Sequence, residues 1–216
     1  MRPDRLVALS GTGTDIGKTW VGARLATSLG HEGLTVSARK PVQSFDPDDD
    51  HPTDADVLAN ATGERPHDVC PPHRWYPTPL APPMAAASLS RPPFTISDLV
   101  GELVWPDSID IGILEGAGGI HSPIADDGDT LNLIEATRPH LVIVVADAQL
   151  GTINNIRLTT SALSGQPYLI HLNRYDPTIE LHQLNFQWIT QRLDAAVTTT
   201  IDELAGICSD LPTDLV

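Results

Sequence analysis

The chain has 216 residues, 41% of them hydrophobic, and its 28 Asp and Glu outweigh 13 Lys and Arg to give a formal net charge of −15. That is long enough to bury a full sheet-and-helix core, and its acidic balance excludes the basic footprint of a nucleic-acid binder. No apolar run approaches the roughly 18 residues of a membrane helix. The N-terminal "MRPDRLVALSG" shows no cleavable secretion signal, and Cys70 and Cys208 have neither metal-ligand nor disulfide-framework spacing. A cytoplasmic protein with no membrane or nucleic-acid partner is expected.

In chain order, "RLVALSG" at 5–11 predicts a strand running into a glycine-rich turn. "TWVGARLATSLG" at 19–30 places apolar residues at helical spacing and closes on glycine. Further strands are predicted at 34–40, 109–116, 140–146 and 167–173, and helices near 54–62 and at 95–104, 129–137, 152–164 and 179–193. The acidic stretch at 45–56 reads as an exposed loop. Residues 60–94 hold nine of the 19 prolines between Pro66 and Pro93, and predict irregular chain broken by a short helix at 84–89. Strand and helix alternate, so the fold class is α/β, a mostly parallel sheet flanked by helices in three layers. One domain over 1–216 is expected.

The first strand-to-helix junction carries "GTGTDIGKT" at 11–19. Glycines let backbone N–H groups wrap phosphate oxygens, while Lys18 would meet the outer phosphates and Thr19 offer a hydroxyl to Mg2+. The strict G-x-x-x-x-G-K-[ST] pattern misses by one place, because Gly11 lies six residues before Gly17. Lys40 ends the second strand, and Lys18 and Lys40 are the only two lysines of the chain. A strand-end lysine is by default a solvated charge, but its scarcity here marks Lys40 as a partner for Lys18 in one crevice beyond the strand ends. "IDIGILEGAGG" delivers Glu115, a candidate Mg2+ partner, into a turn whose Gly116, Gly118 and Gly119 allow close backbone approach; the alternative is a tight turn with a capping glutamate. Asp54 and Asp56 are candidate oxygen ligands or members of a solvated loop. Gly151 and Thr152 open a helix that either holds a carboxylate on its free N–H groups or is an ordinary capped helix.

Taken together, "GTGTDIGKT", "KPVQS", the aspartate of "TDADVLANATG", "YPTPLAPPMAAA", "EGAGGIHSPI" and "LGTINN" resemble the dethiobiotin synthetase family in content and order across about residues 5–173. The resemblance implies a P-loop NTPase-like fold and an ATP- and Mg2+-dependent ring closure of 7,8-diaminononanoate with CO2, in biotin biosynthesis. Carried over by position, Thr14, Asp15, Ile16, Gly17, Lys18 and Thr19 would surround the nucleotide phosphates. Thr19, Asp54 and Glu115 would bind Mg2+, and Lys40 with Lys18 would be catalytic. Thr14 and Ser44 would touch the diamine or its carbamate, and Gly116, Ala117 and Gly118 would line the substrate and phosphate side. Asn173 sits where the family binds adenine. Gly151, Thr152 and Asn154 resemble a helix start that receives the substrate carboxylate from a neighbouring subunit, which implies a homodimer.

This chain departs from the family pattern at Phe45, where a glycine is usual, and at "LNRYDP", which replaces an asparagine–aspartate pair. A later nucleotide-contacting loop in 194–216 is not placed by the pattern. The alternatives are a nucleotide-binding regulatory domain and a related amidoligase acting on another substrate.

Overall fold

A computed structural model describes residues 2–213. β1 (Arg5–Gly11) leads through the glycine turn into α1 (Lys18–His31), followed by β2 (Val36–Arg39), the short β3 (Gln43–Ser44), α2 (Asp54–Thr62), α3 (Pro66–Val69) and β4 (Trp75–Tyr76). Then come α4 (Pro82–Ser88), α5 (Ile96–Gly101), β5 (Ile111–Glu115), the hairpin β6 (Pro123–Ala125) and β7 (Gly128–Asp129), and α6 (Thr130–Thr137). The chain continues with β8 (Leu141–Ala146), α7 (Thr152–Ala162), β9 (Tyr168–Leu172), α8 (Glu180–Arg192), β10 (Ala196–Thr198) and α9 (Ile201–Ser209).

Six strands form one parallel sheet in the order β10-β9-β8-β1-β5-β2. Its central strands are buried on both faces, so they read as continuous apolar runs such as "LVIVVA". Alternation decides which face each residue serves. Val7 and Leu9 join Val21, Leu25 and Leu29 of α1, with Leu58 of α2 and Leu204 of α9, in one core layer. Leu6 and Ala8 face the opposite way, toward layers supplied by α4, α5 and α6. From β1 the strands β8, β9 and β10 run outward in sequence on one side, while on the other β5 lies between β1 and the edge strand β2; all carboxyl ends lie along one edge. The crevice beside β1 along that edge is where open α/β sheets bind ligands.

The α/β class and parallel sheet agree with the sequence reading, with two corrections. β10 is a sixth strand that three residues, "AVT", were too short to announce; it exists by pairing with β9. The proline-rich 60–94 is more ordered than expected. Pro66, Pro72 and Pro82 each occupy a helical first turn, where the missing N–H costs nothing, and β4 pairs with β3. Among the described residues no helix is long and apolar enough to cross a membrane.

Candidate active site

The carboxyl ends of β1, β2 and β5 converge on one cleft of about 740 Å³, a size that suits a small-molecule site. The turn after β1 curls through left-handed backbone at Asp15 (φ 56°) and Gly17 (φ 94°). A side chain at Gly17 would lie 2.2 Å from Asn173 Nδ2, so this position accepts only glycine. Lys18 opens α1, and its Nζ folds back to donate to the Gly13 carbonyl at 2.9 Å. Burial pushes its ammonium below the ordinary lysine range, and the charge of Lys40 adds to that effect.

Lys40 follows the last residue of β2 and is only 3% exposed. Its Nζ sits 2.7 Å from Asp54 Oδ2 and 2.7 Å from Glu115 Oε1, and donates to the Gly116 carbonyl at 3.0 Å. Burial disfavours this charge, but Asp54 and Glu115 more than offset it and hold the ammonium above the ordinary lysine range. Asp54, half-exposed at the cleft mouth, loses hydration too. Lys40, together with hydrogen bonds from Lys40 and Thr19, still keeps it below the usual carboxylate range. Glu115 is fully buried at the end of β5. Burial raises it, and although Lys40 restrains that rise, neighbouring Asp54 reinforces it.

The choice of Asp54 over Asp56 has a local cause. Asp56 is held by the capping box of α2, its carboxylate accepting from the N–H and hydroxyl of Thr53. Asp54, two residues earlier at the start of α2, is left to face the cleft. Thr19 Oγ1 lies 2.7 Å from Asp54 Oδ1 and 2.8 Å from Glu115 Oε1. A hydroxyl has one proton and cannot serve both carboxylates at once. Glu115 Oε2 is buried and has no hydrogen-bond partner among the described residues. A cluster of three hard oxygen donors with too few protons and one orphaned oxygen fits a small divalent cation such as Mg2+.

The turn after β5 forms the next wall. Gly118 has φ 65°, and a side chain there would strike Ser122 Oγ at 2.3 Å; that oxygen accepts from the Gly119 N–H at 2.8 Å. Gly116 packs against Thr130, whose hydroxyl donates to the Ala117 carbonyl at 3.0 Å.

Of the residues singled out from sequence, the cleft brings together Thr14, Asp15, Gly17, Lys18, Thr19 and Lys40. Ser44, Asp54, Glu115, Ala117 and Gly118 line it as well. Ile16, Gly116 and Asn173 lie behind it. The Asn173 amide donates to the Ile16 carbonyl at 2.9 Å and its Oδ1 accepts from the Arg174 N–H at 3.0 Å, so this side chain braces the glycine turn after β1. Gly151, Thr152 and Asn154 lie outside this cleft, at the start of α7. There the Thr152 hydroxyl donates to the Asp147 carbonyl at 2.7 Å, and Asn154 donates to Asn155.

Sequence reasoning missed Gln43 and Arg174. Gln43 lines the cleft and accepts from the Ala55 N–H at 3.0 Å, tying the start of α2 to β3; its place inside "KPVQS" was the available signal. Arg174 lines the cleft from left-handed backbone at φ 57°, which no sequence pattern announces.

This geometry can be set beside known proteins. A family model described as "AAA domain" matches residues 5–172. An "ATP-dependent dethiobiotin synthetase BioD" of Caulobacter vibrioides is 41% identical over 155 residues, covering 68% of this chain and 68% of the relative. The protein of the same name from Corynebacterium efficiens is 36% identical over 158 residues, 73% of this chain and 69% of the relative. The chain belongs to the AAA domain family and, within it, to the dethiobiotin synthetases. Among solved structures, the cobyrinic acid a,c-diamide synthase of Mycobacterium smegmatis, with bound ADP and magnesium, shares the fold. Its TM-score is 0.51 at 16% identity, covering 98% of this chain and 99% of that one. The likeness to that distant structure shows the fold alone.

Proposed function

We propose that this chain is an ATP-dependent dethiobiotin synthetase. It closes the cyclic urea of dethiobiotin from 7,8-diaminononanoate and CO2, with ATP as co-substrate and ADP and phosphate as products. The observation that carries this reading is the convergence of the chain's two lysines with Thr19, Asp54 and Glu115 at the carboxyl ends of β1, β2 and β5.

One amine of the substrate adds to CO2 and loses a proton, giving a carbamate. A carbamate oxygen attacks the γ-phosphorus of ATP and ADP leaves. The second amine then attacks the carbamoyl carbon, and phosphate departs with the bridging oxygen. Two anions meet in the phosphoryl-transfer step, so positive charge fixed around the meeting oxygens lowers the barrier. Lys18, at the start of α1, exchanges its Gly13 contact for the outer phosphates, aided by the free N–H groups of the helix start. Lys40 faces the carbamate side of the cleft, held in place by Asp54, Glu115 and the Gly116 carbonyl. Thr14 and Ser44 border the diamine, and Gly118 lets the backbone come close.

Thr19, Asp54 and Glu115 would hold Mg2+, which when bound screens the charge of the phosphates. Lys40, 2.7 Å from each, is the shared counter-ion of the two carboxylates. The start of α7, with Gly151, Thr152 and Asn154, is assigned to the substrate carboxylate of a second copy in a homodimer. The neighbouring Leu150 and Leu158 stand well exposed on that segment, which supports an apolar contact there.

The test is product analysis by mass spectrometry with ATP, Mg2+, bicarbonate and 7,8-diaminononanoate, each omitted in turn. Cyclic urea that depends on all four, together with ADP, is the expected result. Nucleotide binding without cyclic urea would instead favour a regulatory domain or an amidoligase acting on another substrate.

A further inference from the structure

We propose that Gln43 is a positioning residue that acts through Asp54, fixing the start of α2 so that this carboxylate faces Thr19 and Lys40; its catalytic consequence rests on the dethiobiotin synthetase reading. A helix start leaves its first N–H groups without intrahelical partners. In α2 two of them are met by different side chains. The Asp56 N–H goes to the Thr53 hydroxyl at 3.3 Å, the ordinary cap. The Ala55 N–H, on a fully buried residue, goes instead to Gln43 Oε1 at 3.0 Å. A backbone N–H only donates, so this bond sets the orientation of the Gln43 amide, and Nε2 is left to donate to Thr53 Oγ1 at 3.3 Å. The Thr53 hydroxyl gives its one proton to Asp56 Oδ2 at 2.8 Å and receives the Gln43 amide and the Asp56 N–H on its two lone pairs. Gln43 thus grips the residues on both sides of Asp54 and leaves the Asp54 carboxylate itself unoccupied.

Of the two carboxylates in the cleft, Asp54 is the less enclosed: its side chain is 42% exposed, whereas that of Glu115 is wholly buried. Its oxygens meet Thr19 Oγ1 and Lys40 Nζ at 2.7 Å each, and a shift of the helix start toward solvent would break both contacts. Gln43 is buried on β3, four residues after the end of β2, and it anchors the backbone beneath Asp54 to that strand. Segment 40–43 therefore serves Asp54 twice, Lys40 by its charge and Gln43 through the backbone. Removing an outer partner that orients a metal ligand weakens metal binding about 10- to 100-fold.

The experiment measures Mn2+ binding by electron paramagnetic resonance, with the β,γ-imido analogue of ATP present, in wild type, Gln43→Met, Asp54→Asn and the double variant. Methionine keeps the length of glutamine and loses both bonds. Gln43→Met is expected to weaken Mn2+ binding about tenfold. In the Asp54→Asn background, with no carboxylate left to aim, the same change should weaken it less than about twofold. Equal losses in the two backgrounds would show that Gln43 supports the fold without acting through Asp54, and would overturn the assignment. Unchanged Mn2+ affinity in Gln43→Met overturns it as well, as does a wild type that binds no Mn2+. Cyclic-urea formation by wild type is followed in parallel. If none forms while the non-additive Mn2+ pattern holds, the Gln43 role stands and the ring-closure reading falls.

Discussion

Replacing Lys40 by methionine keeps most of its volume and removes its charge, leaving Asp54 and Glu115 without their shared counter-ion. Each Nζ–carboxylate separation is 2.7 Å. At an effective dielectric constant of about 20 such a pair is worth about 6 kcal/mol before solvation. Desolvation of the ammonium takes back several kcal/mol, and removing one partner of comparable buried pairs costs about 3–5 kcal/mol. The Asp54 side chain is 42% exposed, so solvent screens its share and the fully buried Glu115 dominates. Lys40→Met should therefore lower stability by about 3–5 kcal/mol in urea denaturation. Adding Glu115→Gln to that background should restore about 1–3 kcal/mol, because the uncompensated charge is gone. A Lys40→Met variant within 1 kcal/mol of wild type, with additive effects in the double variant, would refute the claim that this triad is a coupled buried unit.

Three further outcomes are expected. Gly17→Ala forces a side chain into left-handed backbone and against Asn173 Nδ2, so nucleotide affinity should fall at least about tenfold in a fluorescent-nucleotide titration; unchanged affinity would contradict the brace between Asn173 and Ile16. Burial lowers His171 from its ordinary 6.5 to about 4. The unfolded imidazole therefore takes up its proton first, and stability should drop by about 3 kcal/mol as pH falls through that window. His171→Gln should flatten this dependence in denaturation curves taken across the same range, and an equally steep curve would assign the acid sensitivity elsewhere. Glu115→Gln should raise the Mg2+ concentration needed for half-maximal turnover roughly tenfold; an unshifted Mg2+ titration counts against its role as a ligand.

Much of the scaffold was legible because its causes are local. "RLVALSG", "LVIVVA" and "YLIHL" are apolar runs that only a sheet covered on both faces can bury. Gly17 of "GTGTDIGKT" and Gly118 of "EGAGG" sit where left-handed backbone and close packing both require glycine. The rarity of lysine directed attention to Lys18 and Lys40, which the fold brings into one cleft.

What stayed hidden depends on contacts between distant segments. β10 has too few residues to show a pattern and is defined by its neighbour β9. The order within 60–94 comes from prolines at helix starts and from pairing with β3. The bonds from the Lys40 ammonium to Asp54 and Glu115 could not be read from spacing, since they join residues 14 and 75 positions away. Nor does a motif reveal that the amide of Asn173 is already engaged by Ile16 and Arg174.

The measurement that bears most directly on the central claim is an isotope transfer. The enzyme would turn over 7,8-diaminononanoate and ATP in ¹⁸O-labelled bicarbonate and CO2, with the phosphate released examined by mass spectrometry. If a carbamate oxygen attacks the γ-phosphorus, labelled oxygen appears in the phosphate and in the urea carbonyl of the product. Unlabelled phosphate alongside labelled cyclic urea would show that ATP is hydrolysed by water instead, and would contradict the account.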